Sequence, residues 1–540
     1  MNILHNVSQH LRQWAELAEA LASQWHALAP AKGDRTPLRL AAFDLDSPLL
    51  MFGSGDAIRS AELCEGVAIL GATGSGKSSS IGALLAQQLL AARLWDGKRV
   101  GFLVLCAKPD ECKTWQQYAE RTGRKDDLIV MEARGDEAFN FLEWEAAKAK
   151  RQGVKLTENI VSMFMEVLSV TQGQKQHSDS FWIDATRELM RNAIDLLQAG
   201  GNKVTLHSLC EIIDTAPLTH EEAASEEWQE SSFCYQSITG AAEAFAAMKL
   251  TVKNLPAKER DRFHSEERDF KTAHDYFMVK FPAMDERPRS GVLMMWSSLI
   301  DMFRRGVMAD LFCGKTTFDL EDIEQGKVLI LNLPALGVMK ESGRIAQILM
   351  KYLFQRHIQA RDVSLSPCPA VIWADEAHYF TSQNDVLFMT TARSSRTITV
   401  YISQTMRNFQ EVLGNKSEIS ADALLAGFQT KIFCCNGDDY TNQWGSRLIG
   451  STWQFKTSTT TGRTTQTLNP GESNNDGSST QEQLCAQIDA VKFTLLRKGG
   501  AANNFYVDCV IFQPGKRWGN GKNHLEITLN QKQINGEERR

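Results

Sequence analysis

Gly71-Ala72-Thr73-Gly74-Ser75-Gly76-Lys77-Ser78 constrains this chain more than any other stretch, matching G-x-x-x-x-G-K-[ST] at every fixed position. Its flanks supply the context that the pattern needs. Gly66 to Leu70 reads as a short buried strand, and Ile81, Leu84, Leu85, Leu89 and Leu90 recur behind it at helical spacing. A strand, a glycine loop and a helix together make a phosphate cradle. The glycines let the backbone curl until its N–H groups point at one spot, and the helix N-terminus adds its positive dipole end there. In such a loop Lys77 reaches the β and γ phosphates and the Ser78 hydroxyl ligates Mg²⁺. The expected contacts are Gly71, Thr73, Gly74, Ser75, Gly76, Lys77, Ser78 and Ser79, with ATP and Mg²⁺ as cofactors.

At 540 residues the chain is too long for one compact core. Its formal net charge of −6 offers no global basic field, so any DNA-binding surface must be local, in a loop, groove or channel. Eleven cysteines are scattered without a C-x-x-C pair or zinc-ligand spacing, which reads as a reduced, cytoplasmic setting. No run approaches the roughly 20 apolar residues that cross a bilayer. In place of a signal peptide, Leu11, Trp14, Leu17, Leu21, Trp25 and Leu28 sit at helical spacing among Arg12, Glu16, Glu19 and His26. Residues 1–30 are therefore expected to form an amphipathic helix. Its polar face is not basic, which suits packing on protein better than on lipid.

The rest of the chain alternates in character. Strand signals at 99–106 and 127–131 give way to helical periodicity over 150–290, and return at 327–333, 370–373, 397–403 and 431–435. This predicts an α/β fold with a central, mostly parallel sheet built from residues 31–149 and 291–520, interrupted by an all-α insertion at 150–290. The stretch 456–483, rich in Thr, Ser, Asn and Gly, is expected as a mobile polar loop, and 521–540 as a polar tail.

A second chemical element fits the first. Val371-Ile372-Trp373-Ala374-Asp375-Glu376 is an apolar strand ending in two acids. Asp375 suits the Mg²⁺ shell, usually through a water, and Glu376 is placed to polarise an attacking water. Gln404 ends the next β-rich run as a candidate γ-phosphate sensor. Arg393, in Ala392 to Arg396, is a candidate finger for a neighbouring subunit's nucleotide. His378 has no partner at ligand spacing and reads as structural.

These residues resemble the type IV coupling proteins of bacterial conjugation and type IV secretion (TraG/TraD-like conjugative DNA-transfer ATPases), within the FtsK–HerA class of RecA-like pumps. The resemblance runs from about Asp46 to Trp518. Ala107-Lys108-Pro109-Asp110-Glu111 is similar to the family's D-P-K-G-E segment without its Gly. Ala138 to Leu142 resembles F-N-P-L with Phe141 in place of Pro, and Ala392 to Arg396 resembles G-R-S-R-G with Ala392 in place of the first Gly. Asp179 to Trp182, Phe318 to Leu320, Ala421 to Gly437 and Ser446 to Gly450 add weaker matches in the expected order. The resemblance implies a RecA-like nucleotide-binding domain with an all-α domain, a homo-hexameric ring with nucleotide sites between subunits, and ATP-driven transfer of DNA. It also implies a relaxase or protein cargo and a secretion-channel or membrane-anchor partner. Most members begin with transmembrane helices. Here residues 1–30 are the expected docking element, for a chain peripheral at the inner membrane through a partner. Two other readings stay open: a nucleotide-switched recruitment platform, and a soluble relative serving a phage, plasmid or defence system.

Overall fold

The computed structural model describes residues 46, 48–52, 55–93, 97–153, 155–172, 180–413, 417–465 and 472–536. The expected N-terminal helix at 1–30 lies outside them. A short ribbon of β1 (Pro48–Met51) and β2 (Ala57–Arg59) leads into the main sheet. That sheet takes β3 (Val67–Leu70), β4 (Gly101–Leu105), β5 (Leu128–Glu132), β6 (Val328–Asn332), β7 (Ala370–Ala374), β8 (Thr397–Ser403) and β9 (Thr430–Phe433). After a separate hairpin of β10 (Ser451–Thr465) and β11 (Glu472–Ala486), the chain returns as β12 (Tyr506–Phe512) and β13 (His524–Asn530).

The nine strands lie in the order β13-β12-β9-β3-β8-β7-β4-β6-β5. All neighbours from β9 to β5 pair in parallel, while β12 and β13 add an antiparallel edge. The expected mostly parallel α/β sheet is therefore present. Every residue of β3, β4, β7 and β8 is buried, as a sheet covered on both faces requires. One face packs against the helices Ala83–Ala91 and Glu111–Arg121, and the other against the long helix Lys340–Gln359. Parallel strands bring their C-terminal ends to one edge, where such sheets hold ligands.

Between β5 and β6 all described regular structure is helical, from Phe141–Gln152 to Glu321–Glu324, a wider span than 150–290. Phe141, Phe164, Phe303 and Phe312 join its two ends through edge-on and tilted ring contacts. These rings close the helical segment on itself near the points where it leaves and re-enters the sheet.

Two segments depart from expectation. Of the stretch 456–483, expected as a polar loop, residues 456–465 and 472–483 belong to strands β10 and β11, paired without a register break from Ser451↔Ala486 to Thr465↔Glu472. The run of β-branched threonines suits a pleated backbone, and alternate residues of each strand exchange N–H and C=O bonds across the two-stranded ribbon. Polarity alone therefore misled. Residues 524–530, placed in the polar tail, form the sheet's edge strand. Leu525, Ile527 and Leu529 alternate with polar residues and turn one face onto the core, a period-2 pattern set within a polar, charged segment.

Candidate functional site

The Gly71–Ser78 loop leaves the C-terminal end of β3 and enters a wide, π-type turn at Ser78–Gly82, which runs into the helix Ala83–Ala91. Gly74 and Gly76 have φ of +73° and +82°, a region that side chains avoid. At Gly76 a Cβ would also sit 2.6 Å from Val507 Cγ2 and 3.0 Å from the Lys498 carbonyl oxygen. Behind the loop, Gly71 N–H donates to Ser403 and Ala72 N–H to Cys435, so the loop is strapped to the ends of β8 and β9. By contrast, no protein acceptor takes the N–H groups of Gly74, Gly76, Lys77 or Ser78 among the described residues. A row of unclaimed donors at a helix N-terminus fits a polyphosphate.

Lys77 is 5% exposed, and its Nζ lies 3.8 Å from Glu376 Oε1. Glu376 follows β7 and takes a left-handed backbone, φ +50°, with its N–H donating to Asp375 Oδ1 at 3.0 Å. Both acids are buried. A non-glycine residue in that conformation stores strain, a common mark of positioned chemistry. From β8, Gln404 Nε2 lies 3.5 Å from both Glu376 carboxylate oxygens, and Asn436 Nδ2 donates to the Gln404 carbonyl at 2.9 Å. The geometry thus gathers Lys77, Asp375, Glu376 and Gln404 on one edge of the sheet. Lys77 with the loop N–H groups suits a triphosphate, and the Ser78 hydroxyl and Asp375 carboxylate are hard oxygen groups of the kind Mg²⁺ would take. Ser79 faces elsewhere: its hydroxyl accepts from Gln531 Nε2 at 2.6 Å.

Arg393 is not in this group. It precedes β8 and pairs with Glu65, which precedes β3, at 3.0 Å. It therefore sits at the N-terminal edge of the sheet, a seven-residue strand away from Gln404, or about 23 Å at ~3.3 Å per residue. His378 donates to or accepts from Ser403 Oγ at 3.1 Å, and burial pushes its pKa down, so it is a neutral packing residue as expected.

Two further residues belong to the site. Lys108 Nζ lies 3.4 Å from Glu376 Oε1 and 3.9 Å from Glu111 Oε1. Burial lowers the Lys108 pKa, but the Asp375 and Glu376 carboxylates outweigh it and leave the pKa raised. Burial, and then the Asp375 charge, push Glu111 up to about 8, while its Oε2 accepts the Ala107 N–H at 2.7 Å. The signal was available in sequence: Ala107 to Glu111 follows β4 as the phosphate loop follows β3 and as Asp375-Glu376 follow β7.

A buried network holds the loop that follows β7 and carries Asp375 and Glu376. Lys351, fully buried, donates to the Phe380 carbonyl at 2.6 Å and pairs with Asp385. Asp385 also accepts from Gln355 Nε2, Tyr401 Oη and Ser382 N–H, each at 2.8 Å.

This arrangement defines a class, the P-loop ATPase folds built on a mostly parallel sheet. Comparison narrows it. A family model described as the TraM recognition site of TraD and TraG matches residues 369–490. No curated protein matches in sequence. Among solved structures, the conjugative coupling protein TrwBdeltaN70 in its trigonal form with sulphate shares the fold at TM-score 0.55 and 12% identity, covering 93% of this chain and 96% of that one. The plasmid coupling protein TrwB with the GTP analogue GDPNP matches at TM-score 0.53 and 11% identity, covering 90% of each chain. TrwB with ADP and Mg²⁺ matches at 0.51 and 12%, covering 90% and 89%. The family model and the shared fold bear out the resemblance to the type IV coupling proteins.

Proposed function

We propose that this chain is an ATP-hydrolysing motor of the coupling-protein type, moving DNA or a relaxase-bound substrate toward a secretion channel as a homo-hexameric ring. The supporting observation is the convergence of Lys77, Asp375, Glu376 and Gln404 beside unclaimed loop N–H groups. In this reading the loop N–H groups and Lys77 bind the β and γ phosphates. Ser78 and Asp375 hold Mg²⁺, whose charge neutralises the phosphate oxygens. Glu376 orients and polarises the attacking water, and Gln404 senses the γ-phosphate. Arg393, remote from its own loop, serves as a finger only across a subunit boundary. TrwB has been solved with nucleotide analogues and with ADP and Mg²⁺, which supports this assignment of ligands. Among the described residues no helix is long and apolar enough to cross a membrane. A cytoplasmic ring, peripheral at the inner membrane through a partner docked on residues 1–30, fits that observation.

The test is ATP turnover by the full chain, with and without single- and double-stranded DNA, beside Lys77→Ala and Glu376→Gln. The motor reading expects DNA-stimulated turnover that both substitutions abolish. Turnover indifferent to both DNA forms would count against it. A second reading, a nucleotide-switched recruitment platform, is favoured by the partner-recognition description of the 369–490 model. It expects Lys77→Ala to keep cargo binding and cargo release to need no hydrolysis.

A further inference from the structure

Lys108 is the side chain whose placement the phosphate-binding parts do not explain. Its backbone is locked. Cys106 N–H donates to Gln347 Oε1 at 2.8 Å, Ala107 N–H to Glu111 at 2.7 Å, and Leu336 N–H to the Ala107 carbonyl at 2.9 Å. Only the flexible stem is free to move, and its ammonium group is on Glu376 Oε1 at 3.4 Å, closer than Lys77 at 3.8 Å. In the strand order β3-β8-β7-β4 the two lysines come from segments on either side of β7, Lys77 from the phosphate loop after β3 and Lys108 from the turn after β4, and both reach Glu376 Oε1.

The lysines differ in what else they must do. Once the β and γ phosphates arrive, Lys77 turns to them. Glu376 then keeps one cation, Lys108, with the Gln404 amide on its flank. We infer that Lys108 is the positioning residue for Glu376: it holds the carboxylate at the water-attack position when the phosphates take Lys77 away. Lys108 does not contact the phosphates in this role, so it acts on turnover and not on nucleotide binding. The inference rests on the hydrolytic reading above. A charge placed to orient a base acts through geometry, and loss of a well-oriented catalytic group typically costs on the order of a hundredfold in rate.

The experiment uses the full chain as wild type, Lys108→Ala, Lys108→Arg and Glu376→Gln. First, the thermal midpoint of the nucleotide-free protein is measured in a double-mutant cycle of Lys108→Ala with Glu376→Gln. A paired Lys108 predicts that the alanine substitution shifts the midpoint less than half as much in the Glu376→Gln background as in wild type. Equal shifts overturn the pairing, whether or not the protein hydrolyses ATP. Second, Lys108→Ala is expected to lower kcat at least tenfold while the Kd for a non-hydrolysable ATP analogue stays within threefold. Lys108→Arg is expected to recover most of the rate. A fall in affinity matching the fall in kcat, or an unchanged kcat, overturns the positioning role. A wild type that turns over no ATP, with the coupling intact, overturns the hydrolytic reading and with it the positioning role, and leaves the ion pair standing.

Discussion

Lys351→Met is the substitution with the clearest expected consequence. The ammonium group is fully buried, and its loss strands the Asp385 carboxylate, itself 1% exposed, on three neutral donors. Breaking a buried pair from one side costs about 3–5 kcal/mol, because the remaining charge stays desolvated. A domain of 150–250 residues loses about 2–4 °C of midpoint per kcal/mol, so a fall of about 10 °C is expected. The Phe380 carbonyl also loses its donor, which loosens the turn that carries Glu376. The assay is differential scanning fluorimetry of Lys351→Met, Asp385→Asn and the double variant. Neutralising the stranded acid should recover at least half of the Lys351→Met loss. A shift below about 2 °C, or a double variant whose loss equals the sum of the singles, would refute the reasoning, since independent sites add and a charge pair does not.

Gly76→Ala forces a Cβ to 2.6 Å from Val507 Cγ2 at φ +82°, so a cost of at least about 1–2 kcal/mol and loss of nucleotide-analogue binding are expected by melting and titration. Arg393→Ala breaks an ion pair whose arginine is 70% exposed, so the midpoint should move by less than about 2 °C. If the proposed ring forms, its turnover should fall, and an unchanged turnover refutes Arg393 as a finger across subunits. Burial lowers the Lys431 pKa to about 8 from an ordinary 10.5. Between those values the unfolded chain binds the extra proton, so wild type should gain up to about 3 kcal/mol relative to Lys431→Met as pH rises from 8 to 10.5. Parallel pH–denaturation series of the two proteins check this, and identical curves refute it. Because β10 and β11 pair only with each other, replacing 456–483 with a short Gly-Ser turn should leave the midpoint within about 2 °C.

Much of the site was legible because its parts are local. A glycine loop between strand and helix, and an apolar strand ending in Asp375-Glu376, announce their chemistry through adjacent residues, and the buried parallel strands announce themselves as apolar runs. The two missed β segments failed for a related reason. The β10–β11 threonines and the 524–530 alternation carry their signal in periodicity, which a reading by polarity passes over. What tertiary structure alone decided was adjacency between strands far apart in sequence. The order β3-β8-β7-β4 brings Lys77, Gln404, Glu376 and Lys108 to one edge, and puts Arg393 at the other. It also turns Lys351, a residue that its own helix does not single out, into the anchor of the loop after β7. Local pattern names the reactive groups. Strand order is set by burial of both sheet faces over long loops, and it determines which of those groups meet.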